Sequence, residues 1–469
     1  MTWFYFRRLA RTQTRNSDKW RRGRLCEIST NGRSATHGVG VRSRVVAKEL
    51  RFEATGLLHS GTGHLRHLER LLCTDWGFWY QRKTNRKLSK GRNCVHPREF
   101  LFSIVKMMMR LARLGAKRVS ASSVAARSFS ADVTGLSDAA AHFVTLEDKH
   151  GCHNYHPLPV VIAKGEGVHV WDVDGKQYYD FLSAYSAVNQ GHCHPKIIQA
   201  LKDQAEVCTL TSRAFYNNCL GDYEKYITEL FGYDKVLPMN TGVEGGESAV
   251  KLARHWGYIR KGIPQNQAKV IFCNENFWGR TLAAVSSSTD PDCFTDFGPF
   301  MPGFELIPYN DIPALEKALE DPNVAAFMLE PIQGEAGVKV PDEGYLTKVR
   351  EVCTERNVLM IADEVQTGIG RTGKMLAVDH EDVRPDIVIL GKALSGGVLP
   401  VSAVLCDDDI MLTIEPGQHG STFGGNPLAS KVATAALEVL QEEGMTENAQ
   451  RLGKLFRSEL RKLQVCSSL

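Results

Sequence analysis

The sequence lacks any C-x-x-C pair, and its twelve cysteines are dispersed over 469 residues. This pattern is typical of free thiols in a reducing compartment and gives no support for a disulfide framework. The run of His192, Cys193 and His194 resembles part of a metal site. However, Pro195 is a natural first residue for the helix predicted at 196–210, and no second ligand pair stands at zinc spacing. We therefore predict no metal site.

Long apolar runs are absent as well. Residues 100–109 are apolar, but Lys106 interrupts them, and they are only about half as long as a membrane span. We therefore expect no membrane partner. The overall composition, 43% hydrophobic and 23% charged residues, is ordinary for a soluble globular protein. The length allows one large core or two to three domains.

Acidic residues are scarce only at the front of the chain. Residues 1–130 hold 28 Lys+Arg and 7 Asp+Glu, a balance of +21, whereas residues 131–469 hold 29 and 46, a balance of −17, which together give the net charge of +4. Such a division is typical of a tail rather than of a nucleic-acid surface on the folded body. The basic cluster at 81–87 could contact nucleic acid or act as a localisation signal. A solvated basic run is favoured, so we predict no nucleic-acid partner.

The stretch around residues 109–130 has no acid at all and five basic residues. Arg110, Arg113 and Lys117 are spaced for one face of a helix, and a Ser/Ala tract follows them. This composition indicates a mitochondrial transit peptide at 107–133. Because such peptides act at an amino terminus, we expect translation to start at one of the methionines 107 to 109. Residues 1–106 would then be an unassigned basic extension outside the mature protein.

From about residue 160 the chain alternates regularly between strands and helices. Apolar stretches on either side of Asp174-Gly175 predict a hairpin. Repeated βα units require a mostly parallel sheet with helices on both faces. The predicted strands lie at 167–173, 177–181, 235–239, 269–273, 304–308, 324–330, 358–365, 386–390 and 401–406, and the predicted helices at 243–258, 314–319, 345–356, 427–442 and 447–464.

Two of these strands run into polar side chains. Asp363 comes near the end of the strand at 358–365, and Lys392 follows the strand at 386–390. A lysine at a strand end can simply extend into solvent. In a parallel sheet, however, both strands end at the same edge, where an acid and an amine that meet indicate a functional site.

Two phosphate-binding motifs do not fit this region. Lys392 is not a Walker lysine, because Asp386 stands where that motif needs glycine and Ala393 where it needs serine or threonine. Residues 368–373 match G-x-G-x-x-G after a strand. The segment that follows is too short for a crossover helix, and no strand-ending acid lies about twenty residues further on. A dinucleotide site is therefore not favoured.

Three loops are expected at the same sheet edge. Residues 240–247 are glycine-rich and join a strand to a helix, so their backbone N–H groups could bind phosphate or form a plain turn. Residues 276–280 place two aromatic side chains beside Arg280, either as a binding face with a fixed cation or as a core aromatic pair. Residues 419–427 supply hydroxyl groups in a glycine-rich loop, which also suits phosphate.

An amine, a strand-end acid, an aromatic face and a phosphate cradle together describe a site for pyridoxal 5′-phosphate. Residues 134–469 closely resemble the ornithine aminotransferases of the class III pyridoxal-phosphate-dependent family, which are mitochondrial matrix enzymes; the runs that carry the resemblance are 185–195, 240–244, 330–337 and 361–368. The resemblance implies an α/β, fold type I transferase with a mostly parallel, doubly wound sheet and a smaller α+β domain. It also implies a homodimer or higher homo-oligomer that transfers the δ-amino group of L-ornithine to 2-oxoglutarate, giving glutamate 5-semialdehyde and glutamate.

The resemblance also implies a role for individual residues. Lys392 would hold the coenzyme covalently and move a proton during the reaction, and Asp363 would pair with the pyridine nitrogen. Phe277 would lie against the coenzyme ring, and Gln366 would lie at the ring hydroxyl. The phosphate would be bound by Gly242, Val243, Ser421 and Thr422, of which Thr422 would reach the phosphate of the neighbouring subunit. The substrate-binding residues would be Tyr155 and Arg280 for a carboxylate, Tyr185 for ornithine, and Glu335 as a gate between the two substrates.

The implied domain organisation has three parts after the transit peptide. Residues 134–200 would form an N-terminal segment and part of the small domain, 201–427 the large coenzyme-binding domain, and 428–469 the start of an incomplete C-terminal small domain. Members of this family continue past the position of Gln464 and carry there an arginine that pairs with the gate glutamate. A truncated, inactive form is therefore one alternative. Another is a related enzyme acting on acetylornithine or 4-aminobutyrate, although Tyr155 and Tyr185 favour ornithine.

Overall fold

The computed structural model describes residues 133–466. The predicted basic extension lies outside this range, and so does the predicted transit peptide apart from Val133. Within the described range, no helix combines the length and the apolar character needed to cross a lipid bilayer.

A small antiparallel sheet comes first, with strands β1 (Ile162–Glu166), β2 (His169–Asp172) and β3 (Gln177–Tyr179) in that order. The predicted hairpin is confirmed as β2 and β3, whereas β1 was not predicted. The Asp172 carboxylate closes the turn, since its Oδ1 accepts hydrogen bonds from the N–H groups of Asp174 and Lys176 at 3.0 and 2.9 Å.

The main sheet has seven strands in the order β4-β10-β9-β8-β7-β5-β6. The neighbours from β9 to β6 are parallel, and β10 runs antiparallel to both β4 and β9. Every residue of β7, β8, β9 and β10 is buried, as the apolar runs predict for strands covered on both faces. The strands are β4 (Lys235–Met239), β5 (Lys269–Cys273), β6 (Phe304–Ile307), β7 (Val324–Leu329), β8 (Leu359–Asp363), β9 (Ile387–Leu390) and β10 (Ser402–Cys406).

Helices cover both faces of this sheet, which confirms the predicted doubly wound α/β class. One face packs against α4, and the opposite face packs against α3, α8 and α10. The helices are α1 (Asp138–His150), α2 (Pro195–Ala205), α3 (Leu220–Phe231), α4 (Gly242–Trp256), α5 (Leu282–Ser286), α6 (Pro291–Phe294), α7 (Ile312–Ala318), α8 (Tyr345–Glu355), α9 (Asp408–Met411), α10 (Pro427–Glu442) and α11 (Met445–Cys466).

The helix boundaries follow local capping chemistry. Helix α10 starts where predicted because Pro427 occupies its first turn and the Asn426 side chain accepts a hydrogen bond from the Ala429 N–H. Helix α2 ends earlier than predicted, at Ala205. The Gln204 side chain there donates a hydrogen bond to the Cys208 carbonyl at 2.8 Å, where the chain has left the helix.

Two glycines inside helices offer a matched test of core packing. A Cβ added at Gly246 of α4 would lie 2.6 Å from Cε3 of the buried Trp278, whereas a Cβ at Gly221 of α3 would meet nothing within 4 Å. We expect Gly246→Ala to lower the free energy of unfolding by about 1–3 kcal/mol through overpacking. Gly221→Ala should raise it by up to about 1 kcal/mol because alanine favours helix. Urea unfolding measures both, and equal shifts in the same direction would contradict the packing argument.

Candidate active site

Lys392 and Asp363 lie at the carboxyl ends of adjacent parallel strands, as predicted. Asp363 ends β8 and pairs in register with Ile389 of β9, and Lys392 lies just beyond β9. Lys392 starts a 3-10 turn, Lys392–Ser395, with a φ of 41°. A left-handed conformation costs a lysine about 1–2 kcal/mol, and strain of this kind is concentrated at functional sites. The side chain that the sequence singles out therefore also has an unusual backbone.

A second carboxyl, Glu330, lies beside Asp363. It follows β7 directly, and the register of β7 with β8 pairs Leu329 with Ala362. Burial raises the pKa of Asp363 to about 6, opposed by its hydrogen bond from the Val365 N–H and by Lys392. Burial, with Asp363 adding to it, raises the pKa of Glu330 to about 8. Sequence reasoning gave Glu330 no role, although an acid at the end of an apolar strand is the same signal that identified Asp363.

The start of α4 forms an anion cradle at this edge. Thr241 caps the helix through a capping box with Glu244, and the Ser402 hydroxyl donates to the Thr241 carbonyl at 2.7 Å. The N–H groups of Gly242 and Val243 have no partner among the described residues. A Cβ at Gly242 would lie 2.8 Å from Cγ1 of Val365, so glycine is required for this close approach. Two unpaired donors at a helix N-terminus suit a phosphate group.

The loop at 419–427 lies against this cradle through one hydroxyl group. The Asn240 side chain donates a hydrogen bond to Ser421 Oγ at 3.0 Å, and Ser421 Oγ also accepts one from the Gly424 N–H at 3.0 Å. The neighbouring Thr422 is exposed. The structure therefore brings Ser421 next to the strand-to-helix loop, whereas no hydrogen bond ties Thr422 to another described residue.

The two aromatic residues after β5 have different surroundings. Trp278 is buried, stacks on Phe272 with ring centroids 5.7 Å apart, and donates through Nε1 to Ser287 Oγ at 2.8 Å. Phe277 is only half-buried, and the Arg280 guanidinium lies 5.6 Å from its ring centroid. Both interpretations of this loop thus hold in part, because Trp278 belongs to the core while Phe277 and Arg280 remain available to a ligand.

Gln366 and Glu335 are brought together on neighbouring loops. Gln366 Nε2 donates to Glu335 Oε1 at 3.1 Å. A Cβ at Gly334 would lie 1.4 Å from Gln366 Oε1, so any larger residue at that position would displace the glutamine. The loops after β7 and β8 are therefore in direct contact beside Asp363.

Tyr185 lies in an unusual left-handed turn. Four consecutive residues, Ser183–Ser186, have φ values of 53°, 44°, 56° and 75°. Asp180 Oδ1 accepts the N–H groups of Leu182 and Ser183, and Arg371 donates to the Ser183 hydroxyl at 3.2 Å and to the Asn189 side chain. The sequence around Arg371 matches only a possible phosphate motif, so it gives no signal for this contribution of Arg371.

Tyr155 is not brought to the site by any contact. It is 69% exposed, and no hydrogen bond or ring contact joins it to another residue in the described part of the chain. Its assignment to substrate recognition therefore rests on the resemblance alone.

The residues of the metal and dinucleotide alternatives that lie within 133–466 make other contacts. No group of three or more metal-ligating side chains occurs there. His192 is hydrogen-bonded to Asp180 at 2.7 Å and His194 to Glu443 at 2.9 Å. In the G-x-G-x-x-G segment, a Cβ at Gly373 would lie 2.8 Å from the Cα of Gln450. That glycine allows α11 to pack closely, which explains it without a bound phosphate.

Eight cysteines in the described part of the chain, from Cys152 to Cys406, are free, as predicted. Five of them are buried, and the others are Cys208, which is partly buried, and the exposed Cys152 and Cys193.

Glu364 should make the free energy of unfolding of the coenzyme-free protein depend on pH. It is fully buried, accepts a hydrogen bond from the Val378 N–H at 2.9 Å, and burial raises its pKa from the ordinary 4.5 to about 7. The folded state thus holds this proton more tightly than the unfolded state. Its contribution to stability is complete below pH 4.5 and is lost as the pH rises through about 7.

We expect Glu364→Gln to reduce this loss of stability, with each pKa unit worth about 1.4 kcal/mol. Urea unfolding at several pH values measures the slope. Some slope should persist from Asp363 and Glu330, whose pKa values are also raised. An unchanged slope in the variant would show that Glu364 does not titrate in this range.

The residues at this edge fit a phosphorylated pyridine aldehyde. Lys392 supplies an amine, Asp363 a buried acid for a ring nitrogen, Phe277 a half-exposed aromatic face, and Gly242 and Val243 two backbone donors without a partner in the described part of the chain. Together these match the predicted pyridoxal 5′-phosphate.

Comparisons with known proteins agree with this geometry. Rat mitochondrial ornithine aminotransferase is 71% identical over 317 residues, covering 68% of this chain and 72% of the rat protein. The crystal structure of ornithine aminotransferase from Toxoplasma gondii matches with a TM-score of 0.68 and 57% identity, over 69% of this chain and 76% of that one. Acetylornithine aminotransferase from Elizabethkingia anophelis matches with a TM-score of 0.63 and 61% identity, over 69% and 79%. The family model for class III aminotransferases matches residues 151–468. Because this match covers most of the chain, and because a lysine and an acid lie at adjacent strand ends, the chain belongs to the class III aminotransferases.

Proposed function

We propose that this chain is an ornithine δ-aminotransferase that transfers the δ-amino group of L-ornithine to 2-oxoglutarate. The observation that carries the proposal is the placement of Lys392 at the strand end next to Asp363, directly after Gly391, which lies against Gly242 at the start of α4, in a chain 71% identical to the rat enzyme. The products are glutamate 5-semialdehyde and glutamate. Pyridoxal 5′-phosphate is the coenzyme of this family.

The coenzyme supplies an aldehyde and an electron-withdrawing ring, and the protein supplies its binding and its charge environment. Asp363 would keep a proton on the ring nitrogen of the bound coenzyme, since an adjacent carboxylate favours the cationic form. Phe277 would pack against the ring, and Gln366 would donate to the ring hydroxyl. The N–H groups of Gly242 and Val243 and the hydroxyl group of Ser421 would hold the phosphate, together with the hydroxyl group of Thr422 from the neighbouring subunit.

Substrate recognition must serve two different amino acids in turn, because ornithine has a distal ammonium group and 2-oxoglutarate a distal carboxylate. Arg280 and Tyr155 bind a carboxylate, and Tyr185 orients ornithine. Glu335 is the gate between the two substrates, and the observed hydrogen bond from Gln366 holds it at the site. A carboxylate at this position attracts the ammonium of ornithine and repels the second carboxylate of the acceptor.

Lys392 acts as the base. With the coenzyme bound, its Nζ would take the proton from the substrate carbon that bears the transferred amino group and would later release it, which is general acid–base catalysis by one side chain. Lys392 contributes an opposing positive charge to both Asp363 and Glu330, so the amine lies within electrostatic range of both acids.

A substrate panel tests the reaction. The purified chain, supplied with pyridoxal 5′-phosphate and 2-oxoglutarate, is given L-ornithine, N-acetylornithine or 4-aminobutyrate, and glutamate formation is followed by mass spectrometry. We expect kcat/KM for ornithine to exceed the other two at least tenfold. A higher value for N-acetylornithine would assign the chain to the reaction named for the Elizabethkingia relative.

We also propose a homodimer or higher homo-oligomer. Large apolar side chains are exposed on the described surface, among them Phe181, Phe215, Tyr216 and Phe423, and Phe423 directly follows Thr422. Extensive exposed apolar surface is typical of an interface. Light scattering coupled to size-exclusion chromatography measures the mass, and a monomer at all concentrations would refute this proposal.

The mitochondrial matrix is the proposed location. It is supported by the name of the rat relative and by the composition of residues 107–133. The division into 134–200, 201–427 and 428–469 is likewise proposed, with the coenzyme-binding residues from 242 to 422 inside the central part.

A further inference from the structure

Glu330 is a buried carboxyl to which the mechanism above gives no role. Its surface is only 7% exposed. Its Oε1 accepts a hydrogen bond from the Phe277 N–H at 2.9 Å, and its Oε2 accepts one from the Gly334 N–H at 3.3 Å. These two N–H groups belong to different loops, one after β5 and one after β7. A single side chain therefore connects two loops of the site.

The two loops carry side chains with different proposed tasks. Phe277 faces the coenzyme ring, and Gly334 directly precedes the gate residue Glu335. The same loops are joined once more by Gln333, whose Nε2 donates to the Asn274 carbonyl at 2.8 Å. The connection through Glu330 is distinct because one of its oxygens accepts from the backbone of Phe277 itself and the other from the residue before Glu335.

The charge environment agrees with a role at the site. Asp363 of the neighbouring strand and Lys392 both act on Glu330 electrostatically, with opposite signs. Two backbone donors on one carboxyl favour its ionised form, whereas burial and Asp363 favour the neutral form. Replacing it leaves two backbone N–H groups without their acceptor, which is costly in a buried site.

We propose that Glu330 is a positioning residue, which holds the coenzyme-contacting Phe277 and the gate residue Glu335 in a fixed arrangement. This inference rests on the proposed function. It predicts that coenzyme binding and substrate binding both depend on one side chain that touches neither ligand.

Two variants separate the two hydrogen bonds. Glu330→Ala removes both acceptors, and we expect the dissociation constant of the coenzyme and the KM for ornithine each to rise about tenfold or more. Glu330→Gln keeps one carbonyl oxygen, which should remain on the shorter bond to Phe277, while its amide faces the Gly334 N–H and cannot accept from it. Glu330→Gln should therefore raise the KM for ornithine but leave coenzyme binding close to that of the unmodified protein. Glu343→Gln, an exposed acid on the same connection, is the control.

Amide hydrogen exchange gives a readout that needs no coenzyme and no activity. In the coenzyme-free chain, Glu330→Ala should accelerate exchange in peptides covering 274–281 and 331–337, and Glu330→Gln should do so mainly in 331–337. Exchange equal to that of the Glu343→Gln control in both segments would overturn the proposal. If Glu330→Ala does not fold, the Glu330→Gln comparison decides alone. Accelerated exchange in a chain that does not use ornithine would leave the positioning role standing and refute the proposed function.

Discussion

Lys392→Ala should abolish turnover. The variant loses both the amine proposed to hold the coenzyme and the proposed base, and acid–base catalysis alone is typically worth a factor of about 10²–10⁴. We therefore expect kcat for ornithine to fall by at least about 10⁴-fold. The visible absorbance band that borohydride reduction fixes to the protein should also be lost, and mass spectrometry of a reduced tryptic digest of the unmodified chain should locate the adduct at Lys392.

Lys374→Ala is the matched control, because Lys374 is an exposed lysine on the loop that follows β8. It should keep the adduct and the activity. Measurable turnover by purified Lys392→Ala, with contaminating enzyme excluded by the same digest, would refute the assignment of this lysine.

Asp363→Asn should separate activity from stability. Without the carboxylate, the pKa of the bound ring nitrogen should fall by roughly one to three units, and each unit corresponds to about 1.4 kcal/mol or a factor of ten. We expect kcat to fall by about 10- to 1,000-fold. The coenzyme-free protein should become more stable at neutral pH, because Asp363 is a buried acid whose pKa is raised to about 6.

Steady-state kinetics and urea unfolding of the same preparations measure the two effects. Glu364→Gln is the comparison, since it changes the next buried acid, which bonds to Thr367 and Val378 away from the proposed ligands. Full activity in Asp363→Asn that has bound its coenzyme would show that the ring nitrogen has another partner.

Much of the fold follows from the sequence because buried parallel strands are nearly uninterrupted apolar runs. The strands β4 to β10 were predicted within one or two residues, and Asp363 and Lys392 stood out because a charge directly after such a run has few structural explanations. The direction of β10 was not predictable, since an apolar run is the same in either direction. The sequence alone does not show that Trp278 is buried while Phe277 is only half-buried. This difference depends on a tertiary contact, in which the Trp278 indole lies against Gly246 in the core.

Some residues of the site also have a local signal in the sequence, whereas others depend on long-range contacts. Gly242 and Val243 follow a local rule, that a helix N-terminus with glycine can bind an anion. The connection made by Glu330 depends on contacts between loops about 53 residues apart in sequence, and no local pattern encodes it. The left-handed turn at Ser183–Ser186 was equally hidden, because none of its four residues is a glycine.

The antiparallel direction of β10 has a consequence for motion in the catalytic cycle. Because Leu390 and Ala403 are partners in one ladder, the chain on both sides of Lys392 is anchored in the same rigid layer. Lys392 lies only two residues beyond the paired Leu390, so strand pairing in the middle of the sheet limits how far its backbone can move. Conformational adjustment between the two half-reactions is therefore expected in the segments around Glu335 and Tyr185. The backbone of Lys392 should keep the same position for both substrates.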